Sequence, residues 1–127
     1  MMKVLCEKHH VQCLIHVEAS EELGFEPLVR SCALAQVLSD QEGIEVFLLC
    51  ETKDSSAKAF LSTFSFSWKC TETRESSFKS YHAFFSKDSE HVLFVDLLDA
   101  SFSIAKEKLP IDLSILLNDT CMESFAP

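Results

Sequence analysis

Only two glycines and three prolines occur in 127 residues. That is too little turn punctuation for an all-β chain built from many tight hairpins. Long apolar runs are missing too, and no stretch approaches the roughly 20 residues needed to cross a bilayer. No cluster of Lys or Arg is present. With 11 basic against 20 acidic side chains the formal net charge is −9. Nothing here can neutralise a phosphate backbone or an anionic membrane, so neither nucleic acid nor membrane is expected as a partner. Met1 to His10 carries charges where a signal peptide needs its apolar core, which points to a cytoplasmic protein.

What the chain does have is material for one core. Apolar residues make up 47 %, including eleven Phe, and the length suits a single domain over 1–127. The six cysteines show no paired spacing. Cys13, Cys32 and Cys50 each sit inside an apolar segment, as buried, reduced thiols do.

Strand-like and helix-like segments alternate. VQCLIHV (Val11 to Val17) reads as a strand, and Glu18 to Glu26 as a polar loop. Pro27 suits the first turn of a helix, where its missing N–H costs nothing. Leu28, Cys32, Ala35 and Leu38 continue the helical spacing, and Gly43 is the expected stop. IEVFLLC (Ile44 to Cys50) is a second strand, apolar throughout, as when helices cover both sheet faces. A helix over Ser55 to Phe64 and a strand over Phe66 to Cys70 follow. A helix within Thr73 to Phe85 would use Phe78, Tyr81, His82 and Phe85 as its inner face. Then come a strand over Val92 to Asp96, a helix over Ala100 to Leu109 and a strand over Leu113 to Leu117. This alternation predicts an α/β fold: a Rossmann-like, doubly wound, mostly parallel sheet with helices on both faces, in three α/β/α layers.

Leu14 to Leu38, LIHVEASEELGFEPLVRSCALAQVL, resembles the opening of the UDP-sugar hydrolases of the pseudaminic acid pathway and the related spore-coat polysaccharide proteins. Those families begin with a strand, a loop of the type R-x-D-A-S-x-x-I-G-x-G-H and a helix starting V-x-R-x-L-x-L-A. Ala19, Ser20, Gly24, Arg30, Leu34 and Ala35 match that pattern without a gap. GIEVFLLC, VLFVD and ILLND are similar to later strands of the same half. The resemblance implies a glycosyltransferase-B-like N-terminal half, in which Glu18, Ser20, Gly24, Arg30 and Asp96 would face the ligand. It also implies that the partner is a nucleotide sugar or sugar, with a second protein or a second copy supplying the missing half.

The residues that would do the family's chemistry are different here. Its Gly-His pair is Glu26 and Pro27, its loop Asp is Glu18, and its Asp-His-Tyr reads Asp96, Leu97, Leu98. Proline cannot act as a base. Glu18, Glu21, Glu22 and Glu26 would repel a diphosphate at a helix start that normally attracts one. A domain without hydrolase activity is expected, and no catalytic residue or resident metal is assigned. No cofactor is expected either, because the loop has a single glycine where a dinucleotide fingerprint needs three.

Other groups have a bland reading beside a chemical one. Glu18, Glu51 and Asp96 each follow a strand and could share a cation, or simply mark where polar sequence begins. Cys6, His9, His10 and Cys13 have zinc-ligand chemistry, but Cys13 falls within an apolar strand. Cys13, Cys32 and Cys50 have no cationic neighbour in sequence, so none of them reads as an activated nucleophile. His16 and His82 lie on apolar segments and read as core histidines. Phe60, Phe64, Phe66, Trp68, Phe78, Phe84 and Phe85 read as core, any exposed surplus being an interface. The alternative to a hydrolase relative is therefore a stand-alone α/β interaction module. The two differ at the carboxyl ends of the strands, apolar in a half-enzyme and polar in a closed module.

Overall fold

A computed structural model describes residues 10–20, 24–86 and 89–97 together with the backbone of 113–116. The elements run β1 (Val11–Glu18), α1 (Glu26–Ser39), β2 (Ile44–Glu51), α2 (Ser55–Leu61), β3 (Ser67–Thr71), α3 (Arg74–Phe84), β4 (Glu90–Asp96) and β5 (Leu113–Leu116). The helix expected over Ala100 to Leu109 lies outside the described residues. All strands are parallel, in the order β3-β2-β1-β4-β5. This is the Rossmann-like α/β arrangement, and the strand order reverses between β1 and β4. None of the described helices is long and apolar enough to cross a membrane.

Alternation along the strands builds two cores. Cys13, Ile15, Val17, Val46, Leu48 and Cys50 face α1 and α2, where they meet Leu28, Cys32, Ala35, Ala57 and Leu61. Leu14, Leu49, Leu93 and Val95 face the other way and pack on Tyr81, Phe78 and Phe84 of α3. Both faces of the central strand are thus covered, which is why β1 and β2 read as unbroken apolar runs. The Phe-rich segments contribute as expected. Phe66 is buried, and Phe60, Phe64 and Trp68 pack against the first core. The stacked Phe47–Phe84 pair, with ring centroids 5.2 Å apart, flanks the second.

Helix ends follow local chemistry. Asp54 accepts from Ser56 N at 2.9 Å to start α2, and Thr73 accepts from Ser76 N at 3.1 Å to start α3, the usual N-cap bonds. The second helix stops at Leu61 rather than Phe64. Ser62 Oγ and Thr63 Oγ1 donate to the carbonyls of Ala59 and Phe60 at 2.7 and 2.8 Å, satisfying groups that another turn would have bonded. The first helix ends at Ser39, short of Gly43. Gly43 instead takes φ +80° in the turn before β2, and its carbonyl accepts from Val11 N at 2.9 Å.

The inner face of α3 is rotated from the expected one. Ser77, Ser80 and Tyr81 are buried and His82 is exposed, so His82 is not a core histidine. Phe78 and Phe85 pack at the margin of the second core. The inward stripe thus combines two serines with the Tyr81 ring, and Phe78, Phe84 and Phe85 stand at its flanks.

Gln12, buried on β1, fastens the far end of α3. Its Nε2 donates to Phe84 O and to Glu45 Oε1, both at 3.1 Å, and its Oε1 accepts from Ser86 N at 2.7 Å. Gln12→Leu leaves these backbone groups without their partner, at a cost of about 1–3 kcal/mol. A lower urea midpoint with an unchanged m-value checks this. An unaltered midpoint would show that water replaces the amide.

Candidate functional site at the carboxyl edge

In open parallel sheets ligands collect beyond the carboxyl ends of the strands, at the point where strand order reverses. That point lies between Val17 of β1 and Asp96 of β4, which pair in register. Strand alternation divides the polar groups here into two sets. Asp96 shares the α1 face with Val17, while Glu18 and Glu51, paired with each other, share the α3 face.

On the α1 face Arg30 reaches from the helix and donates to Asp96 Oδ2 at 2.8 Å. Asp96 is buried, whereas the Arg30 side chain is 47 % exposed. The charge on Asp96 is matched from outside by a cation that still touches solvent.

On the α3 face the groups form one buried network. His16, fully buried, uses both ring nitrogens: Nδ1 lies 2.5 Å from Tyr81 Oη and Nε2 lies 3.1 Å from Glu51 Oε1. Glu51 Oε1 also accepts from Arg74 Nε at 2.8 Å and from Ser77 Oγ at 2.9 Å. Ser77 Oγ lies 2.6 Å from the Thr71 hydroxyl, and Arg74 extends to Glu18 Oε1 at 3.4 Å. Burial would raise the Glu51 carboxyl, but the hydrogen bonds from His16, Arg74 and Ser77 outweigh it and hold it down at about 2. Burial pushes the His16 imidazole below its ordinary 6.5, against the pull of Glu51. An ionised Glu51 can only accept. A neutral His16 therefore donates from Nε2 to Glu51 and accepts at Nδ1 from the Tyr81 hydroxyl. Burial keeps that phenol protonated by raising its pKa.

The sequence Tyr81–His16–Glu51 has the connectivity of a hydroxyl, imidazole and carboxylate relay. Its hydroxyl end is wrong for catalysis. Tyr81 is fully buried and has no route to a substrate, so the relay is a structural hydrogen-bond chain.

The expected site residues divide accordingly. Glu18 and Asp96 stand at the carboxyl edge but on opposite faces. Arg30 serves Asp96. Ser20 and Gly24 meet in an isolated bridge, with Gly24 N donating to Ser20 O at 2.7 Å and Gly24 at φ +76°. The one glycine amide of the loop is thus turned inward, and the first turn of α1 carries Glu26 and no side-chain cap. The cation shared by Glu18 and Glu51 is the Arg74 guanidinium, and Asp96 takes no part in that cluster. Of the C-x-x-H-H-x-x-C group, Cys13 lies in the α1-side core and His10 bonds Glu45 at 3.1 Å; Cys6 and His9 are outside the described residues. Among the described residues no three His, Cys, Asp or Glu side chains converge as a metal site. Cys13, Cys32 and Cys50 are buried free thiols.

Sequence reasoning missed Arg74, Ser77, Tyr81 and Thr71. A signal was available: Arg74, Ser77 and Tyr81 follow i, i+3, i+7 spacing, a polar stripe on one helix face.

Acid should loosen this network in two stages. His16 is held neutral in the fold but takes a proton at an ordinary pKa when unfolded, so stability is complete above pH 6.5 and declines below it. Glu51 adds a second loss as pH falls from 4.5 toward 2. Each proton bound only by the unfolded chain removes up to ~1.4 kcal/mol per pH unit. Urea unfolding at pH 7.5 and 5.5 should show the drop in the native chain and a smaller one in His16→Gln, whose amide can bridge Glu51 and Tyr81. Equal drops in both proteins would place the titration elsewhere.

Comparison with protein-family models, curated proteins and solved structures gives no significant match.

Proposed function

We propose that this chain is a non-hydrolytic relative of the nucleotide-sugar hydrolases of surface polysaccharide metabolism. In this reading it is cytoplasmic and binds a neutral, hydroxyl-rich sugar at the carboxyl edge of its sheet. One observation carries it: both arginines described at that edge are matched by carboxylates, Arg30 by Asp96 and Arg74 by Glu18 and Glu51. A diphosphate would have to displace those carboxylates from the guanidinium groups it needs. Sugar hydroxyls meet no such opposition, because they can donate to carboxylates and accept from arginines. The resemblance of Leu14 to Leu38 and the Rossmann-like strand order support the same lineage.

A second reading, a stand-alone protein-interaction module, is favoured by the polar carboxyl edge, where a half-enzyme is expected to be apolar, and by α1. Val29 and Val37 are 51 % and 60 % exposed, and with Ala33 they line one outer stripe of that helix. Such a stripe suits a partner, whether a chain supplying a second half or another copy.

Thermal unfolding against neutral sugars, amino sugars, UDP and UDP-aminosugars separates the two. The expected result is a dose-dependent rise with a sugar, of the size mass action gives, reduced in Asp96→Asn, with no UDP released from any nucleotide sugar. Turnover of a UDP-aminosugar, or a rise with UDP alone, would refute the sugar reading. No rise with any of them would favour the interaction module.

A further inference from the structure

Cys50 ends the apolar run of β2, and Cys70 lies opposite it on β3 as its register partner. Both thiols face the α1/α2 side, Cys50 within the core and Cys70 packed against it and half-buried. Register pairing brings the two side chains next to each other on that face. Adjacent strands run about 4.8 Å apart, inside the Cα separation of roughly 4.4–6.8 Å that a disulfide spans. Among the described residues, the strand carrying Cys70 has a neighbour on one side only, in the order β3-β2-β1-β4-β5. It can yield the small movement that bond formation needs.

The two sulfurs are not equivalent. Burial raises the pKa of both, and the closeness of the two thiols adds to the rise at Cys50 while acting to lower Cys70. Lys58 of α2 also lies within electrostatic reach of Cys70 and favours its thiolate. This cationic neighbour is twelve residues away in the chain, out of sight of any local motif. Cys32 of α1 is within electrostatic reach of Cys50, but it sits on a helix and not on a strand in register with Cys50. Cys13 is on β1, opposite Val46, away from Cys70. The partly exposed, cation-flanked thiol is therefore the one that meets an oxidant first, and its register partner stands behind it.

We propose that Cys50 and Cys70 are a thiol–disulfide exchange site for a low-molecular-weight disulfide, closing a cross-strand disulfide between β2 and β3. The Cys70 thiolate attacks one sulfur of the oxidant R–S–S–R, forming a mixed disulfide and releasing R–S⁻, which takes up a proton. Cys50 then gives its proton to solvent and attacks Cys70 Sγ. The bond to the remaining R–S group breaks, and the second R–S⁻ leaves as R–SH. Two protein thiols are oxidised, one small disulfide is reduced to two thiols, and no further reactant is required. The new bond would tie the edge strand one residue before Thr71, whose hydroxyl meets Ser77 in the carboxyl-edge network.

The test uses the full chain carrying Cys6→Ser and Cys121→Ser, with glutathione disulfide as the probe. Incubation is near the ordinary thiol pKa of about 8.5, followed by intact mass and peptide mapping. The expected product has lost two hydrogens, links Cys50 to Cys70, and reverts on reduction. In the same background Cys50→Ala should stop at a glutathione adduct on Cys70, and Cys70→Ala should yield neither species. Circular dichroism confirms that each variant is folded. If Cys50→Ala does not fold, the kinetics of the unmutated pair decide, since the adduct must appear before the cross-link. A stable adduct on Cys70 in the unmutated pair, a link through Cys13 or Cys32, or no modification at all would overturn the proposal.

Discussion

The Glu51 carboxylate joins three elements at one oxygen. It stands at the end of β2 and accepts from His16 of β1 and from Arg74 and Ser77 of α3. Each donor would be costly to bury alone, and so would the carboxylate. Together they leave no member of the set unpartnered. Such buried ionic sets add little net stability compared with well-packed apolar residues of the same size. What this one supplies is position. Apolar packing of Phe78, Tyr81 and Phe84 would tolerate sliding or rotation of α3 over the sheet, but the hydrogen bonds admit one arrangement. Gln12 fixes the other end of the same helix through Phe84 O and Ser86 N. The helix is therefore held at both ends by polar contacts and along its length by the apolar packing of Phe78, Tyr81 and Phe84.

The same division explains what could be read in advance. Strands β1, β2 and β4 announce themselves as apolar runs because both faces are covered, and the α/β alternation places helices between them. Local composition also locates Pro27 at a helix start. It does not reveal which way α3 faces. The large rings Phe78, Tyr81 and Phe85 suggest one face, whereas the bonds of Ser77 to Glu51 and Thr71 and of Tyr81 to His16 go with burial of Ser77, Ser80 and Tyr81, a choice made by partners distant in sequence. Asp96 and Glu18 both follow strands, so sequence groups them. The parity of the register then sends them to opposite faces, a fact that depends on pairing and not on spacing. His16 was legible as a satisfied core histidine, but its partners come from β2 and α3, far along the chain.

For function, the consequence is a polar edge whose charges answer one another. A catalytic carboxylate or imidazole must leave some of its bonding capacity for a substrate. Here His16 has both nitrogens engaged, and its phenol partner has no access to solvent. In the proposed sugar-binding reading, what this edge offers a ligand is a set of oriented hydrogen-bonding groups. The sequence departures at Glu26, Pro27, Leu97 and Leu98 enter that proposal beside the buried relay.

Strand order also constrains how the molecule is made. The central strand β1 pairs with β2 on one side and with β4 on the other, Val11 lying opposite both Ile44 and Glu90. The first pairing needs a short stretch of chain, the second more than twice as much. During synthesis β1 emerges early and finds β2, yet its other edge stays open until β4 has left the ribosome. For that interval VQCLIHV presents unpaired amides and carbonyls on a strongly apolar strand, the combination most prone to capture by another chain. Closing the sheet around its own earliest strand makes folding a late and largely non-local event.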